Sequence, residues 1–271
     1  MSVYKNDKPE HLQDALKSII HQTLKPNEIV MVGDGPLGEE CMKTIENLQI
    51  EAREEGIDFI FMPQKENRGL GASLKLVVEH CNYDYIARMD ADDLALPNRF
   101  EKEMKCFEED PDLSIVGGMI TEFEGNPANI ISKRILPLGD KEIKEYMKSR
   151  CGVNHMTVIM KKSDLLKAGN YNNELRQEDY YLWARMVKAN CKFRNIPDVL
   201  VNVRSGVDQF ARRGGWQYYL NHMAIFRYMY KEGLISLPRF ICNGVVRFFI
   251  QFLFPNKLRT FVYQHMLRNK Q

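Results

Sequence analysis

Between Pro9 and Met89 the chain alternates segments of helical hydrophobic spacing with short apolar runs, and few folds satisfy that alternation. Leu12, Ala15, Leu16, Ile19 and Ile20 recur three or four residues apart, behind a helix start at Asp7 and Pro9 and ahead of a break near Pro26. The run 28–32 then ends in Gly33, Asp34, Gly35 and Pro36, which reads as a buried strand closed by a turn. A helix over 37–55, a strand over 57–62, a helix over 70–80 and a strand over 83–89 continue the pattern. This βαβ order predicts an α/β fold with a mainly parallel central sheet flanked by helices, because parallel neighbours are joined by crossovers that cover both faces.

The second half is less regular. It reads as strands over 114–120, 130–136 and 156–161, with helices over 140–149 and 178–189, the last with Leu182, Met186 and Val187 inward. The absence of a repeat or a Pro- or Ser-rich linker points to one shared fold, for which 271 residues at 44% hydrophobic composition suffice. Met1 to Tyr4 is short for a central strand, so either apolar residues precede it or the first strand is short.

Net charge is only +2, which speaks against a nucleic-acid partner. The basic excess is local: 239–270 holds six Lys or Arg and no Asp or Glu, interleaved with Phe, Ile, Leu and Val. The six cysteines lie at least 25 residues apart, which suggests neither a zinc site nor a disulfide framework and fits a reducing compartment. With no leader pattern and no run of eighteen apolar residues, the expected location is cytoplasmic, without a spanning helix.

The stretch RMDADDLALP, residues 88–97, sets Asp90, Asp92 and Asp93 at the carboxyl end of the strand over 83–89. Ligands of α/β sheets bind at such ends. Three neighbouring carboxylates repel one another unless something positive arrives, and hard oxygen donors suit Mg²⁺ or Mn²⁺ held together with substrate phosphates. The plainer role is capping of the helix that carries Arg99, Phe100 and Met104, for which one Asp suffices. Asp34 sits at a second strand end, in an Asp-Gly turn. A third loop, NRGLGA over 67–72, opens a helix whose free N–H groups favour an anion, without the glycine pattern of a dinucleotide site or a P-loop.

Taken in order, these loops resemble the family 2 glycosyltransferases of GT-A fold, many of which build bacterial polysaccharides. The likeness runs to about residue 210 through Ser2 and Tyr4, Asp34 and Gly35, Asn67 and Gly69, and the Asp90-Ala-Asp-Asp93 element. It continues through Asn154 and His155, then Gly169 and Tyr171, and ends in Glu178-Asp179-Tyr-x-Leu182-Trp183.

The resemblance implies a GT-A catalytic domain over 1–210, with a nucleotide-binding half to about 120 and an acceptor half from about 121, followed by a helical, basic-amphipathic extension over 211–271. It places Ser2 and Asp34 beside the nucleotide base and Arg68 on the nucleotide. Asp90 falls on the ribose side, Asp92 on a Mn²⁺ or Mg²⁺ ion bridging the phosphates, and Asp93 either behind it or as a co-ligand. Gly33 departs from the pattern, since many members carry a further Asp there. Asp179 is implied as the general base of an inverting displacement, with Glu178 binding the acceptor; their plainer role is to start the helix that follows.

His155 is placed near the phosphates or the acceptor, and Arg204, Arg212 and Arg213 are candidates to close over a diphosphate. The region 239–270 reads as an interfacial helix on a membrane surface, or as one packed on protein, which suits an acceptor on a polyprenyl lipid. The implied function is transfer of a sugar from a nucleotide donor, a UDP-sugar, to a glycan or lipid-linked glycan at the inner face of the cell membrane. Rival readings are a sugar nucleotidyltransferase, for which the loop after the first strand lacks glycines, an Asp-x-Asp phosphohydrolase, and a non-catalytic membrane-surface scaffold.

Overall fold

The structure, a computed structural model of the chain, describes residues 1–172, 177–205 and 214–253. Its first layer is a parallel sheet of β1 (Ser2–Val3), β2 (Glu28–Gly33) and β3 (Asp58–Pro63), in that order. The first strand is short, two residues long, and pairs Val3 with Gly33. Along β2 the side chains alternate: Ile29 and Met31 join a core with Leu12, Leu16 and Ile20 of α1 (Pro9–Ile20) and Ile45 and Leu48 of α2 (Glu39–Glu54). Val30 and Val32 meet Val77 of α3 (Leu70–His80) on the opposite face. Pro9 opens α1, where a missing N–H costs no helical hydrogen bond.

The second layer comprises β4 (Tyr85–Ala87), β5 (Leu94–Ala95), β6 (Ile115–Phe123), β7 (Ile130–Arg134), β8 (Ile159–Lys161) and β9 (Phe193–Arg204). Its order is β4-β8-β6-β9-β5, with β7 also paired to β6. This layer is mixed, although its longest pairing, β6 with β9, is parallel like the first layer. Only β6 and β9 run parallel; the pairs β4–β8, β8–β6, β9–β5 and β6–β7 are antiparallel. The strand β9 was not expected, because Pro197 and Asp198 interrupt its apolar pattern. Both loop out of register, since Ile196 pairs with Gly118 and Val199 with Met119, so the bulge carries the residues that a regular strand would exclude. The expected strand 156–161 is shortened to β8 behind a 3-10 turn, His155–Thr157, in which the Thr157 hydroxyl donates to the Asn154 carbonyl at 2.8 Å.

Helices α4 (Arg99–Glu109), α5 (Asp140–Met147), α6 (Lys162–Lys167) and α7 (Glu178–Lys188) pack around this sheet. Leu182 and Met186 of α7 are fully buried, and Val187 is partly buried beside them. Beyond β9 the chain forms α8 (Trp216–Lys231), α9 (Leu237–Arg247) and a wider π-helical segment, Phe248–Leu253. Tyr180 and Ala184 of α7 share a hydrophobic cluster with Ile225, Phe226 and Met229 of α8. The extension is therefore seated directly on the helix that begins with Glu178 and Asp179. All six cysteines are free thiols.

Candidate active site

The site lies where β1, β2 and β3 end and where the 88–93 loop leaves β4. At the end of β2, Asp34 is buried and its two carboxylate oxygens accept the N–H groups of Arg68 at 2.7 Å and Gly69 at 3.0 Å. The Asn67 amide donates to the Asp34 carbonyl at 3.2 Å. Asp34 thus anchors the 67–69 loop in front of α3. Gly35 permits this closure, since it sits at φ +90° and a Cβ there would meet the Asn67 nitrogen at 3.0 Å. Ser2 is half-buried in β1 opposite Val32, and Arg68 extends from the anchored loop as an exposed side chain.

The acidic loop is organised by two arginines. Arg88, almost fully buried, grips Asp90 through both terminal nitrogens. Arg204, the last residue of β9, donates its backbone N–H to Asp93 at 2.9 Å and its Nε to the Asp92 carbonyl at 3.1 Å. The sequence offers Arg204 only as part of a loop over a diphosphate; the structure makes it a clamp at a strand end, its guanidinium 4.9 Å from the centre of the Phe123 ring. Arg212 and Arg213 lie outside the described residues.

Capping does not account for the cluster. Asn98 occupies the position before α4, and β5 separates it from the three aspartates. Burial, then the Asp90 charge, raises the Asp92 carboxyl, and the same two influences push the buried Asp93 well above the usual range. Asp7, which the sequence offers only as part of a helix start, belongs to the same field. Its carboxylate accepts the Tyr4 N–H at 2.9 Å, and burial, with the Asp92 and Asp90 charges adding, holds it up at about 6.

Across the site stands the first turn of α7. Burial, then the adjacent Asp179 charge, raises Glu178 to about 7, while Arg88 opposes the shift and Asp90 adds to it. The acidic loop and Glu178 therefore share one electrostatic environment. Asp179 accepts the Tyr180 N–H at 2.7 Å, so it also helps to start the helix, and its other oxygen lies 3.9 Å from the Cys151 sulfur. His155 is buried beneath this region, 2.8 Å from the Tyr171 hydroxyl and edge-on to Trp183. Burial, then the Arg88 charge, keeps it well below the usual histidine range, so near neutral pH it is an uncharged support.

The raised Glu178 has a stability consequence. A carboxyl whose folded-state pKa exceeds its unfolded value lets the folded state bind the extra proton, so stability falls as pH rises through the interval. In the protein without donor, the loss that Glu178 contributes is expected between about pH 4.5 and 7. Thermal melts of wild type and Glu178→Gln across that interval measure it, and the wild type should lose stability more steeply.

Among the described residues no three His, Cys, Asp or Glu side chains converge to hold a metal ion by themselves. The donor set fits a hard cation that brings ligands of its own. Asp90 is engaged by Arg88 and Asp93 by the Arg204 amide, whereas the Asp92 carboxylate meets its own backbone N–H. One carboxylate plus phosphate oxygens is an ordinary way to bind Mg²⁺ or Mn²⁺.

Residues 1–167 match the family model described as glycosyl transferase family 2. The chain belongs to that family. This glycosyltransferase is 33% identical to the amylovoran biosynthesis glycosyltransferase AmsE of Erwinia amylovora, over 97% of its own length and 96% of the relative's. It is 32% identical to an Escherichia coli UDP-Gal:alpha-D-GlcNAc-diphosphoundecaprenol beta-1,3-galactosyltransferase, over 99% of its own chain and 95% of that one. Among solved structures, the mannosyltransferase PcManGT of Pyrobaculum calidifontis, in complex with GDP-Man and Mn²⁺, superposes with a TM-score of 0.63 at 14% identity, covering 92% of this chain and 68% of that one. That likeness concerns the fold alone. The glycosyltransferase has the GT-A architecture, with a curled mixed sheet, flanking helices and a C-terminal helical extension.

Proposed function

We propose that this glycosyltransferase moves a sugar from a nucleotide diphosphate donor, a UDP-sugar, to a lipid-linked glycan during surface polysaccharide synthesis, with inversion at the transferred carbon. The observation that carries the reading is that the Asp92 carboxylate at one strand end and Glu178 at the start of α7 both lie in the field of the paired Arg88 and Asp90. The amylovoran enzyme and the galactosyltransferase, whose name states a UDP-linked donor and a diphosphoundecaprenol acceptor, support the substrate classes.

In this reading Asp92 would hold Mn²⁺ or Mg²⁺, which would supply positive charge to a departing diphosphate. The anchored 67–69 loop, with Arg68, flanks the nucleotide, and Ser2 and Asp34 border its base. Arg88 keeps Asp90 aligned toward the ribose side, and Arg204 braces Asp92 and Asp93 from behind. Asp179 takes the proton of the acceptor hydroxyl from the face opposite the leaving group, which requires inversion, and Glu178 orients the acceptor. The enzyme would meet its lipid-linked acceptor at the cytoplasmic membrane face as a peripheral protein; no helix among the described residues is long and apolar enough to cross a membrane.

A donor screen tests this. Protein, Mn²⁺ and a panel of sugar nucleotides are incubated with a diphospholipid acceptor, and nucleoside diphosphate release is measured. Release from a UDP-sugar is expected. Asp92→Ala should abolish the Mn²⁺-dependent part of donor affinity in calorimetry while leaving the melting temperature of the donor-free protein unchanged or raised, because it removes a partly buried charge. Equal donor affinity with and without Mn²⁺ in the wild type would remove the metal role.

A further inference from the structure

The extension presents a helix that turns most of its apolar surface outward. Apart from Phe240, which stacks on Tyr230 against the α7–α8 cluster, the inward side of α9 is polar or small: the Asn243 amide donates to the Lys148 carbonyl at 2.7 Å, Gly244 packs against Met223, and Arg247 reaches the Ser149 carbonyl at 2.9 Å. The outward side is apolar. Ile241, Val245 and Trp216 each keep more than half of their surface exposed, and Leu237, Phe249 and Phe252 nearly half. The aromatic end of this surface is joined up, since the Trp216 ring of α8 lies 5.3 Å from Phe252, Phe252 lies 5.3 Å from Phe248, and Phe248 lies 6.0 Å from Phe249. A helix on a water-facing surface does the opposite and turns its apolar stripe inward.

We infer that the α8–α9 face formed by Trp216, Leu237, Ile241, Val245, Phe249 and Phe252 is the seat of this enzyme on an anionic phospholipid surface. The partner deepens the proposed reaction and rests on it in one respect only, the lipid-linked nature of the acceptor.

Three observations select a bilayer as the occupant. From residue 233 to the end the sequence has no Asp or Glu, and from Arg239 onward it has six Lys or Arg, a balance that complements anionic headgroups. A second copy joined by twofold symmetry would set this basic segment against itself, and the acid beside it, Glu145, is already engaged by Arg239 at 3.7 Å. Among the described residues no helix is long and apolar enough to span, and α9 with its π-helical continuation carries Arg239, Asn243, Arg247 and Gln251, so the face is assigned to the interface plane.

The location also suits the chemistry. His222 of α8 meets the Gln177 amide at 2.7 Å and the Gln251 amide at 3.4 Å, joining the residue before Glu178 to the π-helical segment. A surface seated on α8 and α9 thereby brings the acceptor end of the site to the lipid.

Flotation of the full chain with phosphatidylcholine vesicles, with and without phosphatidylglycerol, tests the seat. Only Trp216 reports on it, because Trp183 is buried in the core. The wild type is expected to float with anionic vesicles, to lose that binding in high salt, and to shift Trp216 emission to shorter wavelength. Ile241→Glu with Val245→Glu should weaken partitioning by about tenfold or more. Ile50→Glu, at an exposed apolar position on α2, should bind as wild type. The inference is overturned if the wild type does not float, if the double variant floats equally well, if the double variant merely splits a dimer, or if Trp216 in the lipid-free monomer is shielded from acrylamide and the chain itself covers the face. Nucleoside diphosphate release with a short-chain, water-soluble acceptor separates the two readings. Unchanged release by a variant that no longer floats supports the seat, whereas normal flotation without release by any variant or wild type leaves the seat standing and removes sugar transfer.

Discussion

Asp179→Asn is expected to lower the turnover number by about 10² to 10⁴-fold, the range that a positioned general base contributes, while donor affinity in calorimetry changes by less than about twofold. The substitution suits the question because asparagine keeps an oxygen that can accept the Tyr180 N–H, now at 2.7 Å from Asp179, so the start of α7 survives. What is lost is the charge, which costs a helix N-terminus about 0.3–1 kcal/mol and should appear as a small fall in melting temperature. A turnover number within about threefold of wild type would take the base role away from Asp179.

Glu178 is the natural heir in that case, because its carboxyl, held up at about 7, can also accept a proton near neutral pH. The pair is resolved by the pattern of the two single substitutions. If Glu178→Gln raises the acceptor KM and spares turnover while Asp179→Asn does the reverse, Glu178 orients the acceptor and Asp179 takes its proton. The opposite pattern exchanges the roles.

The first layer of the fold was legible in the sequence because each of its elements obeys a single period. The helix expected over 70–80 is α3 to the residue, and the run 28–32 is β2 with one residue added. Legibility fails where two requirements share one segment. In β9, Pro197 and Asp198 sit in a bulge inside an otherwise apolar strand, so neither period survives, and β5 and α6 are too short to show one.

The acidic residues of the site were legible as a cluster, since three aspartates in four positions have no cheap structural use. Their supports were not. That Arg88 holds Asp90, that Arg204 reaches Asp93 from a strand more than a hundred residues away, and that Asp34 anchors a loop are facts of tertiary proximity. His155 could be named from its place in the chain, but only its burial under Tyr171 shows it to be a neutral support. In the tail, the apolar residues were visible and their outward direction was not, because a helix reveals its spacing in sequence and its facing only in packing.

Above about pH 8, where Glu103 is ionised, Arg99→Met is expected to destabilise the protein by about 3–5 kcal/mol, the cost of breaking a buried ion pair from one side. Arg99 and Glu103 are both inaccessible to solvent and meet at 3.0 Å one turn apart on α4. The guanidinium also donates to the Arg88 carbonyl at 2.8 Å, which ties the pair to the residue that grips Asp90. Burial already pushes Glu103 up to about 8 against the pull of Arg99, and removing that pull raises it further. A folded-state pKa above the unfolded value means stability present at low pH and lost as pH rises through it, so the deficit of Arg99→Met should be larger at pH 8 than at pH 5.

Arg99→Met combined with Glu103→Leu leaves no charge in the core and should recover most of the stability, because apolar replacement of a whole buried pair is often neutral. Activity should not recover in step. With the Arg88 carbonyl no longer held, the Arg88–Asp90 grip loses its seat, and donor affinity in the double variant should stay below wild type even when its urea midpoint matches. A double variant that regains both together would make the buried pair a matter of stability alone, with no part in aligning the acidic loop.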